Sequence, residues 1–179
     1  MLFSSIDLGE ACVIDPTRHE DARGYFARTY CAHEFRAMGL NTEWIQCGTS
    51  YSRLAGTLRG LHFQQTPFAE IKLVRCTRGA IFDVIVDIRP GSRTRGRWFA
   101  TELTAENGRI IYIPEGFAHG FQTLCDGSEV FYQISTAYEP EASSGIRYDD
   151  PTIEIPWPLP VSEISARDAA LPDMDMAPC

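Results

Sequence analysis

Five side chains in the middle of the chain have the chemistry needed to move protons and to stabilise negative charge. His62 and His119 carry imidazoles, the side chains best suited to act as bases near neutral pH. Lys72 supplies an ammonium group, and Tyr132 and Tyr138 supply phenols that can donate a proton. Two buried, hydrogen-bonded histidines would explain the imidazoles alone, but together the five residues provide a base, an electrophile and an acid.

The run Gly108–His119 has the spacing G-x5-P-x-G-x2-H. This spacing resembles the second motif of the cupins, in which a strand, a Pro-Gly turn and the next strand aim a histidine into a jelly-roll barrel. The resemblance implies that His119 faces the interior of such a barrel.

The first cupin motif, which supplies most ligands in metal-binding members, is incomplete here. In those cupins the motif is approximately G-x5-H-x-H followed by Glu, whereas this chain has Gly56, His62 and Gln64 at the matching positions. Zinc, iron and manganese sites need three or four firm nitrogen or oxygen ligands, and His62, Glu70 and His119 with a Gln make a poor set. We therefore predict no metal and no cofactor.

Arg59 and His62 are three residues apart, so an ideal strand would point them to opposite faces. Both can enter one pocket only if the strand has a bulge or a kink, and Gly60 is the natural place for it. Tyr132 and Tyr138 have equal parity and face the same side if their strand stays regular.

The elements that must position these residues are short strands separated by turn signals such as Arg89-Pro90-Gly91 and Asp126-Gly127. One early helix is predicted at about Ala32 to Met38, with Gly39 as its C-cap. From Asp149 onward prolines are frequent, which predicts an extended tail. The pattern favours an all-β sandwich or barrel. The predicted strands are Lys72–Cys76, Ala80–Ile88, Arg97–Leu103, Arg109–Ile113, Ala118–Thr123 and Glu129–Ser135.

Length and composition limit the functional classes. With 179 residues, 44% of them hydrophobic, the chain fits a single domain over residues 1–179 with one core. The net charge of −8 argues against nucleic-acid binding and against anionic membranes. No secretory signal is visible and the six cysteines lack C-x-x-C spacing, so we predict a cytoplasmic protein with free thiols, most of them buried.

Several motifs together resemble the dTDP-4-dehydrorhamnose 3,5-epimerase family. The resemblance extends from near the N-terminus to Ser165-x-x-Asp168 and implies a cupin-type jelly roll, or double-stranded β-helix, that forms a homodimer. The matching segments are Asp21–Phe26, Leu58–Gln64, Lys72–Arg75, Phe82–Val84, Ile113–Phe121 and Gly145–Pro151.

The family's reaction inverts carbons beside the ketone of a nucleoside-diphosphate-linked 4-keto-6-deoxy sugar through an enolate. The resemblance implies that His62 is the base and that Asp168 orients its ring. It further implies that Lys72 stabilises the enolate oxygen and that Tyr132 returns a proton to the opposite face. The substrate-binding residues implied by the resemblance are Arg23, Phe26, Gln46, Arg59, His119 and Tyr138, of which Arg23, Arg59 and His119 match residues that hold the diphosphate.

The chain departs from the family pattern near the expected nucleobase site. The family usually has Asp-Asn-His-Ser after Gln46, whereas this chain has Cys47, Gly48 and Thr49 before Ser50, and Arg28 stands where an acidic residue is common. Mismatched buried polar groups cost about 1 to 3 kcal/mol each. Thymidine, cytidine and guanosine carriers therefore stay open, as does inversion at carbon 3, carbon 5 or both. The alternatives outside this class are a metal-dependent cupin enzyme and a cupin that binds a nucleotide sugar without turnover.

Overall fold

Residues 1–175 are described by the computed structural model, and their regular structure is almost entirely antiparallel β-sheet. Neither helix in this range is long and apolar enough to cross a membrane. The strands are β1 Leu2–Ser5, β2 Cys12–Asp15, β3 Arg18–Asp21, β4 Gly24–Ala27, β5 Gln46–Ser52, β6 Leu58–Gln64, β7 Lys72–Arg78, β8 Ala80–Asp87, β9 Trp98–Thr104, β10 Ile110–Ile113, β11 Phe117–Thr123, β12 Ser128–Ile134 and β13 Ser143–Gly145; the helices are α1 Ala32–Ala37 and α2 Ala166–Ala169.

Two sheets form the cupin-type jelly roll predicted from the sequence. One has six strands in the order β1-β2-β10-β7-β12-β5, and the other has five in the order β13-β6-β11-β8-β9. The hairpin β3–β4 forms a separate two-stranded sheet. Strands that are neighbours in a sheet are mostly distant in sequence, so the chain passes repeatedly between the two sheets.

The core lies between the sheets and follows the two-residue alternation of the strands. In β8, Ile81 and Ile85 point into it and are fully buried, while Val84 and Val86 pack on the outer face. Burying one such side chain stabilises the fold by about 1.5 to 3 kcal/mol. Positions of the same parity in this strand, including Asp83, therefore face the interior.

The outer faces of both sheets are covered by other parts of the chain. Phe35 of α1 packs against the six-stranded sheet, and Ile146, Ile153 and Met174 pack against the five-stranded sheet. The tail is not simply extended as predicted, because residues 166–169 form a helical turn whose N-cap, Ser165, accepts a hydrogen bond from the Asp168 N–H.

The sequence-based predictions of secondary structure agree with most of this architecture. All six predicted strands are confirmed, with ends that shift by at most two residues, and α1 ends one residue earlier than predicted, followed by Gly39 at a φ of +73°. The five cysteines within residues 1–175 are free thiols, but only Cys12 and Cys76 are buried and Cys47 is exposed, so the expectation that most are buried is wrong. Cys179 lies outside the described residues.

Candidate functional site

A cavity of about 1080 Å³ opens between the two sheets. Its walls come from β5, β7 and β12 of the six-stranded sheet, from β6 and β11 of the five-stranded sheet, and from the segment leading into α2. Tyr138 lies beyond the end of β12 at Ile134, so the two tyrosines do not share one regular strand, yet both line the cavity. Eight of the ten predicted site residues line this cavity: Gln46, Arg59, His62, Lys72, His119, Tyr132, Tyr138 and Asp168.

A bulge in β6 brings Arg59 and His62 to the same face, as the sequence required. His62 is paired with His119, whereas Arg59 is paired with Phe121, so three steps along β6 correspond to two along β11. The strands approach so closely here that a Cβ on Gly60 would lie 2.5 Å from the Cα of Gly120. Only glycine fits at this point, and the close approach fixes the extra residue of the bulge.

His62 forms a hydrogen-bonded pair with Asp168, which comes from the C-terminal tail. The His62 Nε2 atom lies 2.8 Å from Asp168 Oδ1, and the Asp168 Oδ2 atom accepts a hydrogen bond from the Gly60 N–H at 3.1 Å. The Asp168 side chain is 7% exposed, whereas the His62 ring is 37% exposed on the cavity side. Asp168 is thus both part of the α2 turn and the anchor of the imidazole.

The electrostatics of this pair define the free nitrogen of the ring. Burial alone would raise the pKa of Asp168, but the hydrogen bonds from His62 and Gly60 lower it below its usual value. An ionised carboxylate only accepts hydrogen bonds, so Nε2 carries the proton of the neutral ring. The lone pair is therefore on Nδ1, and this atom is the candidate base.

Lys72 is buried in the cavity wall and is paired with Glu70. Its Nζ lies 2.8 Å from Glu70 Oε1 and 3.5 Å from the carbonyl oxygen of His62. Only 10% of the Lys72 side chain is exposed, and β7 lies inside the six-stranded sheet, so Lys72 is not a surface lysine on an edge strand. The ammonium group thus lies directly beside the strand that carries the base.

Tyr132 faces the cavity from β12, and its hydroxyl lies 3.2 Å from Ser50 Oγ. Burial raises the pKa of the phenol well above its ordinary value, and the hydrogen bond with Ser50 only partly opposes this shift. The group stays protonated at neutral pH, which suits a proton donor. Its ring packs edge-on against His119 with 6.2 Å between centroids.

His119 is held by a second carboxylate that the sequence analysis did not select. Its Nε2 lies 2.8 Å from Asp83 Oδ2, and both side chains are almost completely buried. Asp83 interrupts the apolar run of β8 at an inward position, and this parity was the signal that could have identified it. Glu70 could likewise have been identified as a partner of Lys72, since it lies two residues before it in the sequence.

Two guanidinium groups in the cavity have only neutral partners. Arg59 donates to Ser52 Oγ at 3.1 Å and to the Tyr51 carbonyl at 3.0 Å, and Arg167 donates to Ser143 Oγ at 2.8 Å. Within residues 1–175 neither is paired with a carboxylate. Because arginine suits bidentate binding of phosphate oxygens, this pair is the candidate anion site. Arg167, adjacent to Asp168, was missed by the sequence analysis.

Comparison with known proteins now identifies the family. Residues 5–176 match the family model described as dTDP-4-dehydrorhamnose 3,5-epimerase. The chain belongs to this family. A relative from Sinorhizobium fredii carrying that name is 43% identical over 175 residues, which is 97% of this chain and 90% of the relative.

Solved structures of epimerases superpose closely on this fold. The dTDP-4-dehydrorhamnose 3,5-epimerase of Bacillus anthracis, solved with TDP and PPi bound, has a TM-score of 0.93 at 37% identity and covers 96% of this chain and 98% of its own. ChmJ, a 3'-monoepimerase from Streptomyces bikiniensis solved with dTDP-quinovose, has a TM-score of 0.88 at 31% identity and covers 96% and 87%. The fold is thus shared by members that differ in the number of carbons inverted.

Two of the residues predicted to bind substrate, Arg23 and Phe26, do not line this cavity. Phe26 is 65% exposed on β4, and Arg23, in the β3–β4 turn, binds Asp21 and has 90% of its side chain exposed. The hairpin that carries them projects from the sheets. Arg28, one of the departures from the family pattern, forms an ion pair with Glu34 at 3.2 Å.

The other departures from the epimerase pattern lie on β5, and its alternation separates them. Gln46 and Ser50 line the cavity, so Gly48 between them has the inward parity, whereas Cys47 and Thr49 point away. Gly48 is paired with Tyr132, and among residues 1–175, apart from Gly48 and its two chain neighbours, no heavy atom lies within 4 Å of the position that a Cβ would occupy. The cavity wall therefore has a gap where the family usually has an asparagine.

Gln64 occupies the place of the second histidine of metal-binding cupins, and its side chain is already engaged. Its amide nitrogen donates to the carbonyls of Phe68 and Ala137, and its oxygen accepts from the Glu139 N–H at 2.7 Å. Among residues 1–175, no group of three or more His, Cys, Asp or Glu side chains is arranged to hold a metal ion.

Proposed function

We propose that this protein is a nucleotide-sugar epimerase that inverts carbon beside the ketone of a nucleoside-diphosphate-linked 4-keto-6-deoxyhexose in deoxysugar biosynthesis. One observation carries the proposal: the candidate base and the candidate acid face one cavity from opposite sheets. His62 belongs to β6 of the five-stranded sheet and Tyr132 to β12 of the six-stranded sheet. A flat enolate between the sheets therefore has the base on one side and the acid on the other.

The reaction follows from this arrangement. Nδ1 of His62 removes the proton from the carbon beside the ketone, and the Asp168 carboxylate stabilises the imidazolium that forms. The negative charge develops on the ketone oxygen, where the Lys72 ammonium stabilises it in a partly dry cavity. Tyr132 returns a proton to the opposite face, and the configuration is inverted.

The substrate is held through its diphosphate and its base. Arg59 and Arg167 bind the diphosphate, because within residues 1–175 they are the cavity cations without a carboxylate partner, and His119 completes this contact. Gln46 and Tyr138 contact the nucleoside end. These assignments predict that loss of either arginine raises KM much more than it lowers kcat.

The function is tested by proton NMR in deuterated water with 4-keto-6-deoxy sugars linked to thymidine, cytidine and guanosine diphosphates. We expect deuterium to enter at carbon 3, carbon 5 or both for at least one carrier, and the same spectra report the configuration. Binding without any exchange would identify a non-catalytic nucleotide-sugar-binding cupin instead. Turnover that requires zinc, iron or manganese would identify a metal-dependent enzyme.

We further propose that the protein works as a cytoplasmic homodimer in which the β3–β4 hairpin of one protomer enters the cavity of its partner. Exposed Tyr25 and Phe26 support this arrangement, because large apolar groups at a hairpin tip favour burial against another surface. It also explains how Arg23 and Phe26 can bind substrate without lining the cavity of their own chain. The cytoplasmic location agrees with the free thiols.

Mixing two inactive variants tests the hairpin arrangement. In a mixed dimer of His62→Ala and Arg23→Ala chains, the Arg23→Ala protomer keeps its base and receives an intact hairpin from its partner. We expect activity to return after unfolding and refolding the two variants together. No recovery above either variant alone, with dimers present by light scattering, would place Arg23 in the site of its own chain.

A further inference from the structure

An acidic side chain enters the cavity from the segment just before β7. Glu70 lines the cavity beside Lys72, and its Oε1 lies 2.8 Å from the Lys72 Nζ. The two side chains are only 11% and 10% exposed. A nearly buried ion pair therefore lies within the site, next to the strand that carries His62.

The backbone around Glu70 is fixed on both sides. The Thr136 hydroxyl donates to the Ala69 carbonyl at 3.0 Å, and the Ile71 N–H donates to Ser135 Oγ at 2.8 Å. The Ile71 carbonyl also accepts a hydrogen bond from the Ser135 N–H at 3.0 Å. The carboxylate of Glu70 is thus presented from a segment held by the end of β12.

Lys72 depends on this carboxylate for its position. A lysine ammonium is a point charge on a flexible four-carbon stem, so it needs a fixed acceptor to stay in one place. Its other acceptor, the His62 carbonyl, lies at 3.5 Å, which is too long for a strong hydrogen bond. Removing Glu70 leaves a nearly buried ammonium without an ionic partner, an arrangement that favours its displacement or neutralisation.

We propose that Glu70 is a positioning residue of the reaction, which holds the Lys72 ammonium at the place where the enolate oxygen forms. The inference rests on the role of Lys72 in the proposed function. The ammonium has three donors, so one can bind Glu70 while the others stay available to the ketone oxygen. Glu70 itself does not exchange protons with the substrate.

If Glu70 acted only through its charge, its removal would have the opposite effect on the rate of enolate formation from the one that positioning predicts. The negative charge of Glu70 offsets part of the field of Lys72, so its removal would accelerate enolate formation if the ammonium kept its place. The positioning account predicts slower enolate formation, because the ammonium loses its place. The sign of the change in kcat therefore decides between the two accounts.

The test is a double-mutant cycle with Glu70→Ala, Lys72→Met and the double variant, measured on the nucleotide sugar that the wild type turns over. We expect Lys72→Met to lower kcat by about 10²- to 10³-fold, the usual effect of losing one oxyanion-stabilising group. Glu70→Ala should lower kcat by roughly 10-fold with KM changed less than about twofold, because it acts on the transition state alone. Adding Glu70→Ala to Lys72→Met should change kcat by less than about twofold.

Two further variants sharpen the result. Glu70→Gln keeps an oxygen that can accept from Nζ, so its kcat should lie between those of the wild type and Glu70→Ala. Glu163→Ala removes another carboxylate that lines the cavity without an ion pair to Lys72, and it should leave kcat within about twofold.

Each other outcome overturns the inference. A faster or unchanged Glu70→Ala enzyme, additive losses in the double variant, or an equal loss in Glu163→Ala would exclude positioning through Lys72. If Lys72→Met is fully active, the proposed role of Lys72 fails instead, and the two failures are therefore distinguishable.

Discussion

Asp168→Asn isolates the proton on the imidazole while leaving the shape of the site unchanged. In the wild type, the Gly60 N–H donates to one carboxylate oxygen at 3.1 Å, and the other oxygen faces His62 Nε2 at 2.8 Å. In the variant, only the amide oxygen can accept from the Gly60 N–H, so the amide NH₂ must face the ring. Nε2 then becomes the acceptor, and the proton of the neutral ring moves to Nδ1. The substitution thus removes the base without removing side-chain volume.

The expected magnitude is that of a missing general base. Such groups contribute about 10²- to 10⁴-fold, or about 3 to 5 kcal/mol of activation free energy, and we expect Asp168→Asn to lie near the upper end. Asp168→Ala should be less damaging, because a ring without a partner can still adopt the tautomer with a free Nδ1. KM should change little in both variants, since within residues 1–175 the Asp168 carboxylate forms no ion pair with Arg59 or Arg167.

The assay is deuterium incorporation into the substrate, followed by proton NMR, with thermal melting as the control for folding. Control of the tautomer predicts that the rate of deuterium incorporation falls from the wild type to Asp168→Ala and falls further in Asp168→Asn. If Asp168→Asn exchanged as fast as Asp168→Ala or faster, Asp168 would act only through charge or packing, and the assignment of Nδ1 as the base would be refuted.

Other parts of the structure lead to four further expectations. Tyr132→Phe should still incorporate deuterium but invert slowly, so equal losses of exchange and inversion would remove it as the acid. Gly60→Ala, which forces a Cβ to 2.5 Å from the β11 backbone, should lower the melting temperature by roughly 5 °C or more; an unchanged melt would contradict the close approach. Burial opposes ionisation of Asp87, but hydrogen bonds from Arg89 and two hydroxyls lower its pKa to about 2. The ionised carboxylate therefore adds about 2 kcal/mol to the free energy of unfolding. This stabilisation is complete above about pH 4 and is lost as the pH falls from about 4 to about 2. Urea unfolding of Asp87→Asn should therefore approach the wild type as the pH falls, and a gap that is constant with pH would contradict it. A chelator should leave turnover unchanged, because Gln64 uses its amide within the fold, and loss of activity reversed by one metal would overturn this.

The strands of the barrel were predictable where turn chemistry and apolar alternation agree. Trp98–Thr104 ends shortly before Asn107-Gly108, and Phe117–Thr123 lies between Gly116 and Asp126-Gly127. Most large apolar side chains of these two strands alternate toward the core: Phe99, Leu103, Phe117 and Phe121. Gln46–Ser52 was not predicted, since it is polar, contains a glycine and lies at a sheet edge, where few side chains are buried. Leu58–Gln64 breaks the two-residue period because of its bulge. Local pattern is therefore weakest in the two strands that carry Gln46, Arg59 and the candidate base His62.

The bulge shows how a conflict in the sequence can locate a functional feature. Arg59 and His62 have opposite parity, and only an extra residue lets both enter the cavity. Gly60, between them, marked the position of the extra residue, and the pairing of β6 with β11 has a register shift there. No comparable local signal links His62 to Asp168, which is 106 residues away. That pairing was accessible only through resemblance to the family, because the tail returns to β6 by tertiary packing.

The distribution of charge in the cavity explains how one pocket can both hold an anion and carry out chemistry at carbon. His62 and Lys72 each face a carboxylate at 2.8 Å, so the part of the cavity that acts on the sugar has no excess positive charge before substrate enters. In the described part of the chain, Arg59 and Arg167 face hydroxyl and carbonyl oxygens and no carboxylate, so the field that attracts a diphosphate is concentrated on them. The diphosphate therefore selects the arginines instead of displacing Lys72 from its carboxylate, and the ketone is left to meet the base and the ammonium. Pairing the reactive groups with acids is thus what orients the substrate.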